Sequence, residues 1–348
     1  MRSYQIADYA APLALAEGAA PTPTGTEVLV RIHACGVCHS DVHLWEGYFD
    51  LGGGRRIVSP PPDALPLTPG HEIVGEVAAV GPEATGLAPG ARRLVFPWIG
   101  CGDCPLCRSG DEHLCNRPRA LGVNRDGGYA DHVLVPHPRY LLDFDGIDAA
   151  LAATCACSGL TAYSALKKVG RLADGQSLLI IGAGGVGLAG VRLAKAVTGA
   201  APIVADIDPG RRAAALDAGA ADAIDSAEKG AVKALVGRTG GVAAAIDFVG
   251  AESSAAFGDR ALAKGGKLIV VGLFGGELRL SLPLLPMRAV TVCGSYVGSL
   301  AELAELLDLV RETALPPMPL AERPLAEATA ALADLRAGRI TGRVVLKP

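Results

Sequence analysis

The sequence predicts an α/β protein in which a doubly wound parallel-sheet domain is joined to a mostly-β, metal-binding domain. Three observations carry this prediction. From about residue 150, compact apolar runs alternate with Ala-rich stretches of helical length, the pattern of strands buried on both faces with helices between them. The first of these runs leads into a glycine-rich turn, as a phosphate-binding loop requires. The first 145 residues have a different texture, rich in Pro, Gly, His and Cys, with short β-like runs between turn signals.

In the amino-terminal part the expected strands are residues 28–33, 73–80 and 132–135, separated by Pro69-Gly70, Pro89-Gly90 and Gly127-Gly128. In the second part the apolar runs 177–181, 202–205, 244–249 and 267–271 read as buried strands, with helices at 187–197 and 211–218 between them. After Cys293 come amphipathic helices at 300–310 and 325–335 and a closing strand at 343–346.

Composition bounds the function. The chain has 348 residues, 50% hydrophobic and 20% charged, with a formal net charge of −4: material for two cored domains. The slight acidity and the absence of a basic run argue against nucleic acid or an anionic membrane surface as a partner. Asp8 interrupts the amino terminus before an apolar stretch forms, so no signal peptide is expected. Residues 149–166 lack charge for 18 positions, but their small and hydroxyl side chains make a poor membrane span. The expectation is a soluble, cytoplasmic protein, where clustered cysteines stay reduced and serve as metal ligands more often than as disulfides.

The turn Gly182-Ala183-Gly184-Gly185-Val186-Gly187 is weak as a bare motif and strong in context. A strand precedes it, a helix follows, and Asp206 ends the next strand 19 residues after Gly187. Glycine lets the backbone approach a pyrophosphate, which sits at the helix amino terminus; Asp206 accepts from a ribose diol and repels a 2′-phosphate, favouring NAD. Arg211 and Arg212 follow closely and leave room for some tolerance of NADP.

Cys101, Cys104, Cys107 and Cys115 follow C-x2-C-x2-C-x7-C, a spacing that closes a tetrahedral thiolate site with no open position, and therefore a structural zinc. Disulfides, an iron–sulfur cluster and a nucleic-acid zinc ribbon are weaker alternatives, the last because Asp103, Asp111 and Glu112 are acidic. Cys35 and Cys38 also make a C-x-x-C pair, but outside any thioredoxin-like context.

Taken in order, G-V-C-H-S-D-x-H, G-H-E, the four-cysteine lobe, C-S-G-L-T-A-Y, G-A-G-G-V-G and G-R-V-V-L resemble the zinc-dependent medium-chain alcohol dehydrogenases, over residues 29–346. The resemblance implies a GroES-like, zinc-binding catalytic domain of residues 1–150 with 294–348, a Rossmann NAD-binding domain of residues 151–293, NAD and two zinc ions as cofactors, and a homo-oligomer, dimer or tetramer. It makes Cys38, His71 and Cys157 the catalytic zinc ligands, with Glu72 a transient ligand and Asp41 a supporting carboxylate. Cys35 and Cys155 become small buried residues. Oxidation then proceeds through a zinc-bound alkoxide that passes a hydride to NAD⁺. The proton leaves from Ser40 through the NAD ribose to His43, whose ordinary pKa near 6.5 suits exchange with water. His39 and Arg343 fall where the family contacts the pyrophosphate. Thr161, Val249, Val271, Gly272 and Leu273, with Arg211, join the loop glycines as cofactor contacts. Trp45, Phe49, Trp98 and Phe274 are candidates for the substrate wall, pointing to aliphatic or benzylic alcohols, with polyols as the alternative. The segment 49–65 resembles a loop of the tetrameric members and is placed to close over the pocket.

Overall fold

The computed structural model describes all residues, 1–348. Six parallel strands form one sheet in the order Asp222–Asp225, Ile203–Asp206, Leu178–Ile181, Val242–Asp247, Leu262–Val270, Thr291–Gly294. Numbered along the chain this is 3-2-1-4-5-6, the doubly wound order in which ligands bind beyond the carboxyl ends of the strands at the point where the order reverses. The central strand Leu178–Ile181 is completely buried because helices cover both faces. The expected helices are Gly185–Thr198 and Pro209–Asp217, the second started by Asp208, whose carboxylate accepts from the Arg211 amide.

Two strands of this sheet escaped the sequence reading, Asp222–Asp225 and Thr291–Gly294. Both lie at sheet edges, where half the surface stays wet and no continuous apolar run is selected.

The other sheet is largely antiparallel. Its order is Leu320–Pro324, Arg343–Lys347, Val28–Gly36, Glu72–Val80, Arg92–Val95, Leu141–Leu142, with His132–Val135 also paired to Val28–Gly36. The carboxyl-terminal strand therefore returns to the sheet begun by the first third of the chain, pairing Leu346 with Cys35. The expected helix at 325–335 opens as a 3₁₀ turn, Leu325–Glu327, and continues as Ala328–Arg336.

The uncharged segment near residue 150 is the helix Ala149–Val169, long and apolar enough to cross a membrane by composition, but 83% of its apolar window is buried inside the protein. It carries a π-helical stretch, Cys155–Gly159, a widened turn of the kind found at functional sites. Part of the 49–65 segment is a hairpin, Tyr48–Gly52 with Arg55–Val58. Its tip meets the other half of the molecule through Arg55 and Glu277, 3.3 Å apart.

Candidate active site

The helix His39–Glu46 begins where Asp41 turns back to accept the Cys38 amide at 2.9 Å, a capping contact made three residues away in sequence. The same carboxylate accepts from the Gly70 amide at 3.2 Å and the Tyr129 hydroxyl at 3.2 Å. Gly70 has φ +93° and packs so closely that a Cβ would lie 2.3 Å from the Tyr129 ring, so only glycine fits before His71. His71 Nδ1 then lies 3.1 Å from Asp41 Oδ1, with both side chains fully buried. Asp41 thus orients the histidine, as a supporting carboxylate does for a metal ligand.

Opposite His71 the π-helical turn delivers Cys157, whose sulfur is 3.9 Å from that of Cys38. Donor atoms of Cys38, His71, Glu72 and Cys157 all lie within 4.8 Å of one another, and all four residues are buried. Two sulfurs on a tetrahedral zinc at about 2.3 Å stand about 3.8 Å apart, so the spacing fits that ion. His71 Nε2 is buried with no hydrogen-bond partner, a cost that a metal removes. The hydrogen bond from Cys157 and the neighbouring His71 hold the Cys38 thiol well below the ordinary range, toward the thiolate that binds metal.

Glu72 sits inside this group but is engaged elsewhere: Oε2 is bonded to Arg343, and Oε1 accepts the Ser158 amide at 3.2 Å. Burial pushes its carboxyl up to about 7, against the pull of the Arg343 guanidinium. Cys35 and Cys155 are buried free thiols outside the cluster.

The second cluster is the cysteine lobe, with sulfur separations of 3.4 Å for Cys104–Cys107, 3.8 Å for Cys104–Cys115 and 3.9 Å for Cys101–Cys107. Gly100 is obligatory, because a Cβ there would be 2.5 Å from the Cys107 sulfur. Cys115 is held down to about 6, chiefly by the Cys101 amide and also by that of Arg117, and both donate to its sulfur at 3.3 Å. Four thiols at these separations fit a closed zinc site.

The glycine loop fits a dinucleotide. Gly182 has φ +85°, and a Cβ on Gly187 would be 1.8 Å from the Gly182 carbonyl oxygen. Gly185 packs on Arg343, whereas Gly184 faces open space at the start of a 14-residue helix that has no side-chain cap. The open turn and its free amides make an anion cradle. Asp206, 5% exposed, accepts the Ala183 amide at 2.7 Å and the Asp208 amide at 2.9 Å. Val249 lies over Gly182, while Thr161 is buried on its helix and Val186 is half-buried at the start of the following one. Val271 donates its amide to Asp247, Leu273 is exposed, and Gly272 packs on Val249. Crowding by the protein lowers the pKa of His39, with Arg343 and Arg211 among the charges acting on it.

Ser40 and His43 stand one turn apart on one face of their helix. Phe49 packs on His43 with ring centroids 4.8 Å apart, and Trp98 packs on His71 at 5.1 Å. Trp98 is fixed by a 2.9 Å bond from its indole to the Ala156 carbonyl. Trp45 points elsewhere, donating to Ala11 with Arg336 over its ring, and packs its helix against Ala328–Arg336. Phe274 is 71% exposed.

One residue of the site was missed from sequence. Tyr296 lies edge-on to Trp98 at 6.1 Å and stays about half-exposed at the rim of the site. In a chain with only 4% aromatics, an aromatic immediately after the last strand of the nucleotide sheet was the available signal.

A nucleotide cradle that opens onto a buried thiolate–imidazole metal cluster is the arrangement of a metal-dependent dehydrogenase, in which hydride donor and acceptor meet beside the ion. Comparison with known proteins narrows this class. Residues 24–144 match the alcohol dehydrogenase GroES-like domain and residues 185–312 the zinc-binding dehydrogenase family. An NAD-dependent alcohol dehydrogenase of Saccharolobus solfataricus is 39% identical over the full length of both chains. An alcohol dehydrogenase of Geobacillus stearothermophilus is 33% identical over 100% of this chain and 99% of its own. The crystal structure of the alcohol dehydrogenase from Aeropyrum pernix superposes with a TM-score of 0.88 at 32% identity, covering both chains completely. The chain belongs to the zinc-dependent medium-chain alcohol dehydrogenase family. It is an oxidoreductase of small-molecule alcohols whose cofactors are NAD and zinc, the metal in one catalytic and one structural site.

Proposed function

We propose that this enzyme interconverts primary or secondary alcohols with aldehydes or ketones, using Cys38, His71 and Cys157 to hold the catalytic zinc and Cys101, Cys104, Cys107 and Cys115 to hold the structural one. The observation that carries the reading is the buried donor group with the unpartnered His71 Nε2. When bound, the metal supplies Lewis acidity to an alcohol or carbonyl oxygen, and the nicotinamide supplies the hydride acceptor or donor.

The chain's own residues do the rest. Asp41 fixes the ring of His71. Glu72 is a reserve donor, kept from the ligand set while Arg343 and Ser158 engage it. The Ser40 hydroxyl takes the substrate proton, and His43 exchanges it with solvent. Burial lowers the pKa of His43, so the ring is neutral and able to accept a proton over the working range. The loop Gly182, Gly184, Gly185, Val186 and Gly187, with His39 and Arg343, binds the pyrophosphate; Asp206 and Arg211 bind the adenosine side; Thr161, Val249, Val271 and Leu273 flank the nicotinamide half. Trp98 and Phe49 give the reacting centre an apolar wall with Tyr296 at its rim, which favours aliphatic or benzylic alcohols over polyols.

An NAD⁺-coupled absorbance screen over primary, secondary, benzylic and polyol alcohols tests the reading. Turnover of an apolar alcohol is expected; failure to oxidise any alcohol with two zinc ions bound per chain would overturn it.

The functional units are residues 1–150 with 294–348, and 151–293; the two separate sheets support this division. We also propose a homo-oligomer, formed through the edge strand Thr291–Gly294. An open strand edge invites pairing, and Leu282, Met287 and Val292 are exposed beside it. A monomer at micromolar concentration in sedimentation velocity would refute this. Nine cysteines without a disulfide fit a reducing, cytoplasmic setting.

A further inference from the structure

Two arginines follow Asp206, in the region where an arginine accommodates the 2′-phosphate of NADP. The structure separates them. Arg211 reaches toward the Gly338 carbonyl, 3.4 Å away. Arg212 turns back onto the strand ends. Its Nη1 donates to the carbonyls of Asp206 at 2.9 Å and Ile207 at 3.0 Å, and lies 3.3 Å from Asp225 Oδ2.

Asp225 stands in register with Asp206 on the neighbouring strand, so the two carboxylates flank the point where Arg212 is held. Asp206 is itself anchored toward the glycine loop by the Ala183 and Asp208 amides. Arg212, the cation bonded to the Asp206 carbonyl, is thus provided with two carbonyls and a carboxylate, none of them part of a dinucleotide.

We propose that Asp225 is a specificity-determining residue for the cofactor: it holds the Arg212 guanidinium away from the adenosine ribose and so keeps the site selective for NAD over NADP. Asp225 acts through Arg212 and touches no cofactor atom; it is a positioning residue. The inference rests on the reading that the glycine loop and Asp206 bind the dinucleotide.

All three contacts converge on one guanidinium nitrogen, Nη1, and of the three partners only Asp225 supplies a counter-charge. With Asp225 removed, the two carbonyls leave the cation uncompensated, and an oxyanion at the ribose becomes the partner that neutralises it.

The test is fluorescence titration of NADH and NADPH into the zinc-loaded protein, which reads binding without turnover. In Asp225→Ala the ratio of the NADPH to the NADH dissociation constant is expected to fall about fivefold, the scale of a partly exposed ion pair. Asp225→Asn, which keeps shape and hydrogen bonding, is expected to move the ratio in the same direction and stands in if the alanine variant does not fold. Adding Arg212→Ala to either is expected to cancel the gain. An unchanged ratio in a folded Asp225 variant that still binds NADH would overturn the inference, as would a gain that survives loss of Arg212. A wild-type protein that bound neither dinucleotide would instead overturn the reading of the loop.

Discussion

The carboxylate of Glu72 is bonded to the guanidinium of Arg343 in the interior, with the two side chains 0% and 4% exposed. Glu72 belongs to the metal cluster, and Arg343 packs on Gly185 of the nucleotide loop, so one ion pair joins the two halves of the active site. Removing one partner of a buried pair leaves the other uncompensated. Arg343→Met is therefore expected to destabilise the protein by about 3 kcal/mol in urea unfolding, with part recovered when Glu72→Gln is added. A single variant as stable as wild type would show that the pair contributes nothing net.

Glycines of the loop separate folding from binding. A Cβ on Gly187 would collide with the Gly182 carbonyl, whereas one on Gly184 meets nothing within 4 Å. Gly187→Ala is expected to lose about 1–3 kcal/mol or more of stability. Gly184→Ala is expected to change stability by less than about 0.5 kcal/mol, yet to weaken NADH binding about tenfold or more, because the methyl enters the space a pyrophosphate needs. Unaltered NADH affinity in Gly184→Ala would remove the loop from the cofactor site.

The two metal clusters are predicted to separate by variant. Cys104→Ser is expected to lower the zinc content from about two to about one per chain and the melting temperature by on the order of 5 °C. Cys157→Ser is expected to lose the other zinc with the smaller thermal effect, since its helix is held by extensive packing. Metal analysis with a thermal melt checks both, and full zinc content in Cys104→Ser would disprove the structural site.

Proton transfer gives a pH signature. Burial lowers the pKa of His43 from 6.5, with Glu46 and Cys38 pulling the other way. In the proposed proton path the neutral ring is the acceptor, so its contribution to alcohol oxidation should be present above that lowered pKa and lost as pH falls through it. His43→Gln is expected to slow oxidation about tenfold near pH 7 but only about twofold near pH 9, where solvent base substitutes. Equal losses at both pH values would exclude His43 from the proton path.

Sequence determined the parts whose geometry is local. The four-cysteine lobe closes within 15 residues, the glycine turn is set by its own backbone, and the alternation of buried strand and helix follows from side chains that must leave water on both faces of a sheet. The edge strands Asp222–Asp225 and Thr291–Gly294 were not legible, because a half-wet strand imposes no apolar run. Tertiary structure alone decided the relationships between distant segments. Glu72 and Arg343 lie 271 residues apart in sequence and meet because the last strand returns to the first sheet. Tyr296 reaches Trp98 and Asp41 reaches His71 across separate elements, and Arg212 turns from its helix to Asp225 at the end of the next strand. Residue type says what a side chain is able to bind, whereas the packing of remote elements decides which partner desolvates it first.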